Sequence, residues 1–216
     1  MLNNNFGRSM IEMIGVLVII GALSTGGIVG YTKALHQNKV NKAIEQIGVI
    51  SAHLSTIGAN GGLYDGMSNK SATKLKAILP EMRTNPTSTT DFGLKNPFGG
   101  SVTINSAKLL DNAGDDQAYT IEYSGLNKQA CLALAGNDWG SAKNSSFIGI
   151  AVGPTNSINN VVDKIYLKCS GEESVLNATV VGCNNGTTIG TPISASKAVN
   201  VCTECNNDCA IVLKYY

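Results

Sequence analysis

Histidine and charged residues are both scarce in this sequence. Only 2 of the 216 residues are histidines, and charged residues make up 14% of the chain, against roughly 25% in an average soluble domain. Lysine and arginine number 16 and acidic residues 15, so the chain lacks the basic surface that binds nucleic-acid phosphates. The shortage of histidine disfavours a metal-dependent or acid–base enzyme. We therefore expect no catalytic activity, no cofactor and no nucleic-acid partner.

Proline is also rare, and none precedes Pro80. Because proline interrupts helices, its absence leaves the N-terminal part free to form a long one. Disorder is disfavoured, since the hydrophobic fraction of 43% is enough to bury a core. The length suggests one domain or two.

The N-terminal part contains a long apolar run. Between Ser9 and Tyr31 the only charged residue is Glu12. The stretch Met13–Tyr31 is just long enough to cross a bilayer core as a helix, and it exceeds the apolar region of a secretory signal peptide. One interpretation is a plain N-terminal membrane anchor.

A second pattern follows the apolar run without a break. Apolar residues recur at steps of three and four, which is typical of one stripe on a helix, while lysines lie off that stripe. The glycine-rich segment 58–62 ends the pattern. We predict one helix over residues 8–57, apolar all round in 8–30 and amphipathic in 31–57. The stripe consists of Ile28, Tyr31, Leu35, Val40, Ile44, Ile47, Ile50, Leu54 and Ile57.

Residues 58–216 read as a globular head. Short runs rich in β-branched and aromatic residues alternate with turn-forming segments, which is typical of strands. The expected fold is α+β, with an antiparallel sheet packed on the helix stripe from about Ala43 to Ile57. The segment Asn127–Ala135 is predicted as a short helix. The predicted strands are Ser101–Ser106, Ala118–Ser124, Phe147–Val152, Lys164–Lys168, Val175–Val181 and Ala210–Tyr216.

The segment Gly7-Arg8-Ser9-Met10-Ile11-Glu12-Met13 resembles the cleavage and assembly segment of type IV pilins and pseudopilins. In that family a prepilin peptidase cuts after the glycine and methylates the new N-terminus. The glutamate then neutralises the N-terminal amine of a neighbouring subunit. The resemblance implies a leader at residues 1–7, cleavage between Gly7 and Arg8, and Glu12 as the assembly carboxylate. The alternative is that Glu12 lies at the membrane edge and reaches the interface.

The head carries a weaker resemblance to type IVb pilins. Residues 75–82 resemble a short helix that ends at a proline, and Asn96-Pro97-Phe98-Gly99-Gly100 resembles the turn that leads into the first strand. Residues 118–126, followed by Cys131, are similar to a strand and then the helix that carries the first disulfide cysteine. The resemblance covers about the first 135 residues and the C-terminal strand.

All 6 cysteines lie at or beyond Cys131, which indicates disulfides and an oxidising compartment. The spacing Cys202-x2-Cys205-x3-Cys209 also allows three ligands of a zinc or iron–sulfur site. We favour disulfides and no metal, because the head has no histidine to complete such a site. We expect Cys131 to pair with Cys202 or Cys205. The remaining expected pair is Cys169 with Cys183.

The resemblance implies a structural subunit that polymerises through its helix into a type IV pilus. The implied partners are copies of itself, the prepilin peptidase, and an inner-membrane assembly platform with its ATPase. The precursor would span the bacterial inner membrane once, in contact with lipid, before entering an extracellular filament. Two alternatives stay open: a minor pilin or type II secretion pseudopilin, and a monomeric membrane-anchored adhesin.

Overall fold

The computed structural model describes residues 10–59, 63–109, 116–140, 146–158, 164–165, 174–176, 179–183 and 193–216. The side chains of residues 59, 174–176, 180, 182 and 183 are not included in that description. The chain divides into two compact units, Met1–Lys39 and Val40–Tyr216.

One helix, α1, runs from Met10 to Ala59 and belongs to both units. No proline interrupts it, and it ends where the glycine-rich segment begins. Residues 8 and 9, which the sequence assigned to this helix, lie outside the described residues. Within the first unit, the apolar side chains of α1 from Met10 to Tyr31 are exposed.

The second unit contains an antiparallel sheet of seven described strands, in the order β1-β2-β3-β7-β4-β6-β5. The C-terminal strand β7 lies between β3 and β4, so the last residues of the chain form the middle of the sheet. The strands are β1 (Leu94–Lys95), β2 (Ser101–Ala107), β3 (Ala118–Leu126), β4 (Phe147–Pro154), β5 (Ser174–Leu176), β6 (Thr179–Cys183) and β7 (Cys209–Tyr215). The shorter helices are α2 (Asn69–Lys74), α3 (Lys128–Ala135) and α4 (Ala195–Glu204), and a 3-10 turn covers Pro80–Met82.

One face of the sheet packs on α1. Their shared core consists of α1 residues and of the inward side chains of the central strands. The α1 residues recur at steps of three and four, as expected for one stripe of a helix. The α+β prediction, with the sheet against this stripe, is confirmed. The fully buried residues of this core include Ala43, Ile47, Ile50, Leu54, Ile104, Ile121, Ile211 and Leu213.

The opposite face of the sheet carries a second apolar cluster. Val212 on β7 and Ala151 on β4 are register partners, and both belong to it together with Ile158 and Ile165. Because both faces of the central strands are covered, β7 is buried at all of its positions.

The edge of strand β2 is closed by the segment around α2. The side chain of Asn69 donates a hydrogen bond of 3.0 Å to the Val102 carbonyl and accepts one of 2.8 Å from the Ile104 amide. The Ser106 amide donates to the Met67 carbonyl at 3.2 Å. The asparagine side chain thus takes the place of a neighbouring strand along this edge.

Two strand predictions are wrong. Val175–Val181 is not one strand but the antiparallel pair β5 and β6, in which Leu176 faces Thr179 across the ladder. In the predicted strand Lys164–Lys168, Lys164 belongs to a 3-10 turn and Ile165 to no strand, and the remaining residues lie outside the described chain.

The helix expected within residues 75–82 is also misplaced. Helix α2 already ends at Lys74, and the 3-10 turn begins at Pro80. The α2 C-terminus is closed by Lys76, whose φ of 57° is left-handed, and by the Ala77 amide, which donates to the Ala72 carbonyl at 3.0 Å. These are the features of a Schellman motif, which ends the helix well before the proline.

Candidate functional site: the apolar helix and the cysteine cluster

Glu12 lies in the first turn of α1, where a carboxylate is favoured by the helix dipole. The residue is exposed, and it lines a shallow surface hollow together with Met13, Val16 and Leu17. Gly7 and Arg8, the residues of the expected cleavage site, lie outside the described residues. The site therefore consists here of one carboxylate on an otherwise apolar surface.

That apolar surface is large and continuous. Met10 is 83% exposed and Leu23 71%, and α1 is the one helix in the described part of the chain long and apolar enough to cross a membrane. Exposed patches of this kind mark contact with another protein or with lipid, because leaving them in water is unfavourable.

Within the second unit, three buried tyrosines bind α1 by hydrogen bonds. The Tyr119 hydroxyl donates to the Ser51 carbonyl at 3.1 Å, and the Tyr64 hydroxyl donates to the Leu54 carbonyl at 3.0 Å. The Tyr123 hydroxyl donates to the side-chain oxygen of Gln46 at 3.3 Å. Sequence reasoning missed these contacts, since a sequence does not show which backbone carbonyl or distant side chain a tyrosine hydroxyl will reach.

Burial raises the pKa of the tyrosines in this layer above the ordinary value of 10.0, most clearly for Tyr119 and Tyr123. Their hydroxyls therefore stay protonated at physiological pH and remain donors. The rings of Tyr64 and Tyr119 lie 4.8 Å apart, and those of Tyr119 and Tyr215 5.6 Å apart. The contact between helix and sheet combines aromatic packing with oriented polar bonds.

Four cysteines meet at one end of the sheet. Cys131 on α3 is bonded to Cys202 on α4, with 5.8 Å between their Cα atoms. Cys205 is bonded to Cys209, the first residue of β7, with 5.0 Å between the Cα atoms. The structure thus pairs Cys131 with the first of its two expected partners. Cys169 and the side chain of Cys183 lie outside the described part, so their expected pairing stays a prediction.

Local structure explains how the cluster forms. Helix α3 begins at a cap in which the Asn127 side chain accepts a 2.8 Å hydrogen bond from the Ala130 amide. Helix α4 ends at Glu204 with Cys205 as its C-cap, and both Asn206 and Asn207 take left-handed φ values, of 48° and 65°. Asparagine tolerates this conformation better than most residues. The tight reversal returns the chain so that Cys209 faces Cys205.

The sulfur atoms of the cluster are as close together as the ligands of a metal site, but they are not thiolates. The Sγ atoms of Cys131, Cys205 and Cys209 lie within 4.8 Å of one another, and all three residues are buried. A metal ion binds thiolates, whereas these sulfurs are engaged in disulfides. The arrangement in the structure is therefore a covalent tie between α3 and the C-terminal segment.

Comparison with known proteins assigns the family. The sequence model of the Bundlin family matches residues 32–170, which is more than half of the chain. The chain belongs to the Bundlin family. The match begins after the apolar run, includes most of the amphipathic part of α1 and extends through β4, so it rests on this part of the helix and on the head. The expectation of a pilin is confirmed.

Two curated relatives are similar to most of this chain. Both are named "Major structural subunit of bundle-forming pilus" and both are 27% identical to it. The relative from Escherichia coli O111:H- aligns over 71% of this chain and 75% of its own length. The relative from Escherichia coli O127:H6 (strain E2348/69 / EPEC) aligns over 67% and 71%.

A solved structure is also similar to the chain. It is the crystal structure of TcpA, a type IV pilin from Vibrio cholerae El Tor biotype. The match covers 83% of this chain and 99% of that one, with 16% sequence identity and a TM-score of 0.49.

Proposed function

We propose that this chain is the structural subunit of a type IV pilus and polymerises through α1. The observation that carries the proposal is the exposed apolar surface of Met10–Tyr31 in a member of the Bundlin family. The relatives' names support it, since both are major structural subunits of a pilus. The role is structural, not catalytic.

In the proposed maturation, a prepilin peptidase cuts between Gly7 and Arg8. The new amine of one subunit then pairs with the Glu12 carboxylate of its neighbour in the filament core. Each charge alone would be costly in an apolar bundle, and pairing lowers that cost. The exposed position of Glu12 on α1 leaves the carboxylate accessible to a neighbouring chain.

The proposed location changes during the life of the subunit. Before assembly, lipid of the bacterial inner membrane covers the apolar part of α1, and afterwards neighbouring copies cover it in an extracellular filament. An inner-membrane assembly platform and its ATPase would move the subunit between these states. The disulfides of the head fit this route, because disulfides persist outside the cytoplasm.

The test replaces Glu12 by leucine and uses Glu45→Leu as the matched control. Glu12 and Glu45 are the acidic residues of α1, and both are exposed. Breaking a buried ion pair costs about 3–5 kcal/mol, so Glu12→Leu should reduce sheared surface filaments by roughly a hundredfold or more. Cleavage and membrane insertion should remain, and Glu45→Leu should assemble normally. Wild-type filament numbers from Glu12→Leu would overturn the pairing.

A second measurement separates the remaining alternatives. Mass spectrometry of the N-terminus should find a mature chain that begins at Arg8 and is methylated. An uncleaved N-terminus would favour the monomeric membrane-anchored adhesin. A cleaved chain that is abundant in the cell envelope but rare in sheared fibres would favour a minor pilin or a secretion pseudopilin.

A further inference from the structure

Three cysteines of the cluster, Cys131, Cys205 and Cys209, have sulfur atoms close enough to exchange partners. Cys131 and Cys209 belong to different disulfides, yet their Sγ atoms lie within 4.8 Å of each other. Thiol–disulfide exchange requires only that a thiolate reach a sulfur of another disulfide. Because a disulfide bond is about 2 Å long, a relative movement of up to about 3 Å would bring these sulfurs to bonding contact.

The other two cysteines have the spacing of a C-x-x-C pair. Cys202 lies on α4 and Cys205 is the residue that caps its end. Residues at positions i and i+3 of a helix are neighbours on one face, so the alternative pair would form by unwinding of the last turn of α4. The asparagines that follow already have non-helical backbone angles, so this turn is where the helix ends.

We propose that the four cysteines form one exchange unit with two alternative pairings. The first is the observed set, Cys131–Cys202 with Cys205–Cys209. The second is Cys131–Cys209 with Cys202–Cys205. A thiol catalyst, either glutathione or a protein dithiol of the disulfide-isomerase class, interconverts them without net oxidation or reduction. This proposal is independent of polymerisation.

The exchange balances in three steps. The catalyst's thiolate attacks Sγ of Cys205, forms a mixed disulfide and releases Cys209 as a thiolate. The Cys209 thiolate attacks Sγ of Cys131, forms the Cys131–Cys209 bond and releases Cys202 as a thiolate. The Cys202 thiolate attacks Sγ of Cys205, closes Cys202–Cys205 and releases the catalyst. Two disulfides exist before and after, and the catalyst is regenerated.

Cys205 is the point of entry. The residue is 5% exposed, whereas Cys131, Cys202 and Cys209 are 0% exposed. The residues on either side of it, Glu204 and Asn206, are exposed. A thiol therefore reaches Cys205 by opening one turn, without unfolding the sheet.

Both pairings keep α3 tied to the C-terminal segment. Cys131 is joined to α4 in the observed set and to the first residue of β7 in the alternative. A subunit that first oxidises with the alternative set is therefore already stapled, and an isomerase can convert it while the central strand of the sheet stays attached. The exchange unit therefore lets the head reach the observed disulfides whichever of the two pairings forms first.

The sequence allows the two pairings to be distinguished by mass. Proteases that cut after Glu204 and before Asp208 place Cys202, Cys205 and Cys209 on three separate peptides. Full-length purified protein is incubated at neutral pH with or without substoichiometric glutathione, acidified, alkylated and digested. We expect Cys131–Cys209 and Cys202–Cys205 peptides only in the sample with glutathione. Observed pairs alone, at every glutathione concentration up to full reduction, would overturn the proposal.

Two single variants test the central step without added thiol. Cys205→Ser leaves Cys209 as a free thiol, which should attack Cys131 and make Cys202 the alkylated residue in a measurable fraction of molecules. Cys202→Ser leaves Cys131 free, which should capture Cys209 and make Cys205 the alkylated residue. Both variants converge on the Cys131–Cys209 peptide. If that peptide is absent from both, the sulfurs do not exchange and the proposal is wrong.

Discussion

The hydroxyl of Tyr119, on strand β3, donates a hydrogen bond to the backbone carbonyl of Ser51 within helix α1, at 3.1 Å. The same hydroxyl lies 3.2 Å from the hydroxyl of Ser55, which in turn lies 3.0 Å from that of Ser146. One tyrosine thus links the helix to the sheet through a short polar chain. These bonds can form only at one position of α1 along its axis. They therefore fix that axial position relative to the sheet, which apolar packing alone would leave adjustable.

Tyr119→Phe should destabilise the head by about 1–2 kcal/mol. The substitution keeps the ring and its packing but removes the donor to Ser51 and the partner of Ser55. The measurement is urea unfolding of the purified protein followed by tyrosine fluorescence. Tyr216→Phe is the matched control, because Tyr216 is 42% exposed, and it should leave the midpoint unchanged. Equal midpoints for both variants would contradict a structural role for the Tyr119 hydroxyl.

Asn69→Ala should cost about 1–3 kcal/mol, because it leaves the amide of the fully buried Ile104 without its partner. The matched control is Asn105→Ala on the same edge, since Asn105 is exposed. That change should stay within about 0.5 kcal/mol of the wild type. Hydrogen exchange gives an independent reading: the Ile104 amide should lose protection in Asn69→Ala and retain it in Asn105→Ala.

Glu122→Gln should stabilise the head at neutral pH. Burial on β3 raises the pKa of the Glu122 carboxyl above its ordinary value of 4.5, so the folded state holds this proton more tightly than the unfolded state does. Stability from that group is present below the unfolded pKa and is lost as the pH rises through the folded pKa.

The variant should therefore have a higher unfolding midpoint than the wild type at pH 7 and the same midpoint at pH 3. Glu204→Gln on the exposed surface of α4 is the matched control and should leave both midpoints in place. A Glu122→Gln midpoint that differs from the wild type equally at both pH values would contradict the titration.

Lys76→Gly should stabilise the head by about 0.5–1 kcal/mol. Lys76 has a left-handed backbone with φ of 57°, which is unfavourable for a residue with a side chain and not for glycine. Lys74→Gly, at the last helical residue of α2, should have the opposite sign and destabilise by about 1 kcal/mol. The measurement is the thermal unfolding midpoint of the two variants. A lower midpoint for Lys76→Gly than for the wild type would contradict the left-handed backbone of Lys76.

The helices and strands that could be predicted are those marked in the sequence by a regular spacing of apolar residues or by a distinctive composition. The stripe of α1 follows from residues such as Ile47, Ile50 and Leu54, and β3 and β7 follow from runs of β-branched and aromatic residues. Helix α4 was missed because only Ala198, Val201 and Cys202 are buried in it, while the apolar Val199 is exposed off that stripe. So few buried positions are hard to distinguish from a polar loop in the sequence.

Features that depend on tertiary contact could not be predicted from the sequence. Strands β5 and β6 were predicted as one strand because only Asn177 and Ala178 lie between them and neither residue is a glycine or proline. The choice of Cys202 over Cys205 as the partner of Cys131 depends on how α3 meets α4, which cysteine spacing does not specify.

The closed edge of β2 bears on what happens when many heads crowd together. In a fibre of the kind we propose, heads stand side by side at very high local concentration, and an open strand would let adjacent sheets fuse into an irreversible ladder. The Asn69 amide already occupies the backbone groups of Val102 and Ile104. Neighbouring heads can then meet along this edge only through side chains, so those contacts remain free to break and re-form as the fibre bends.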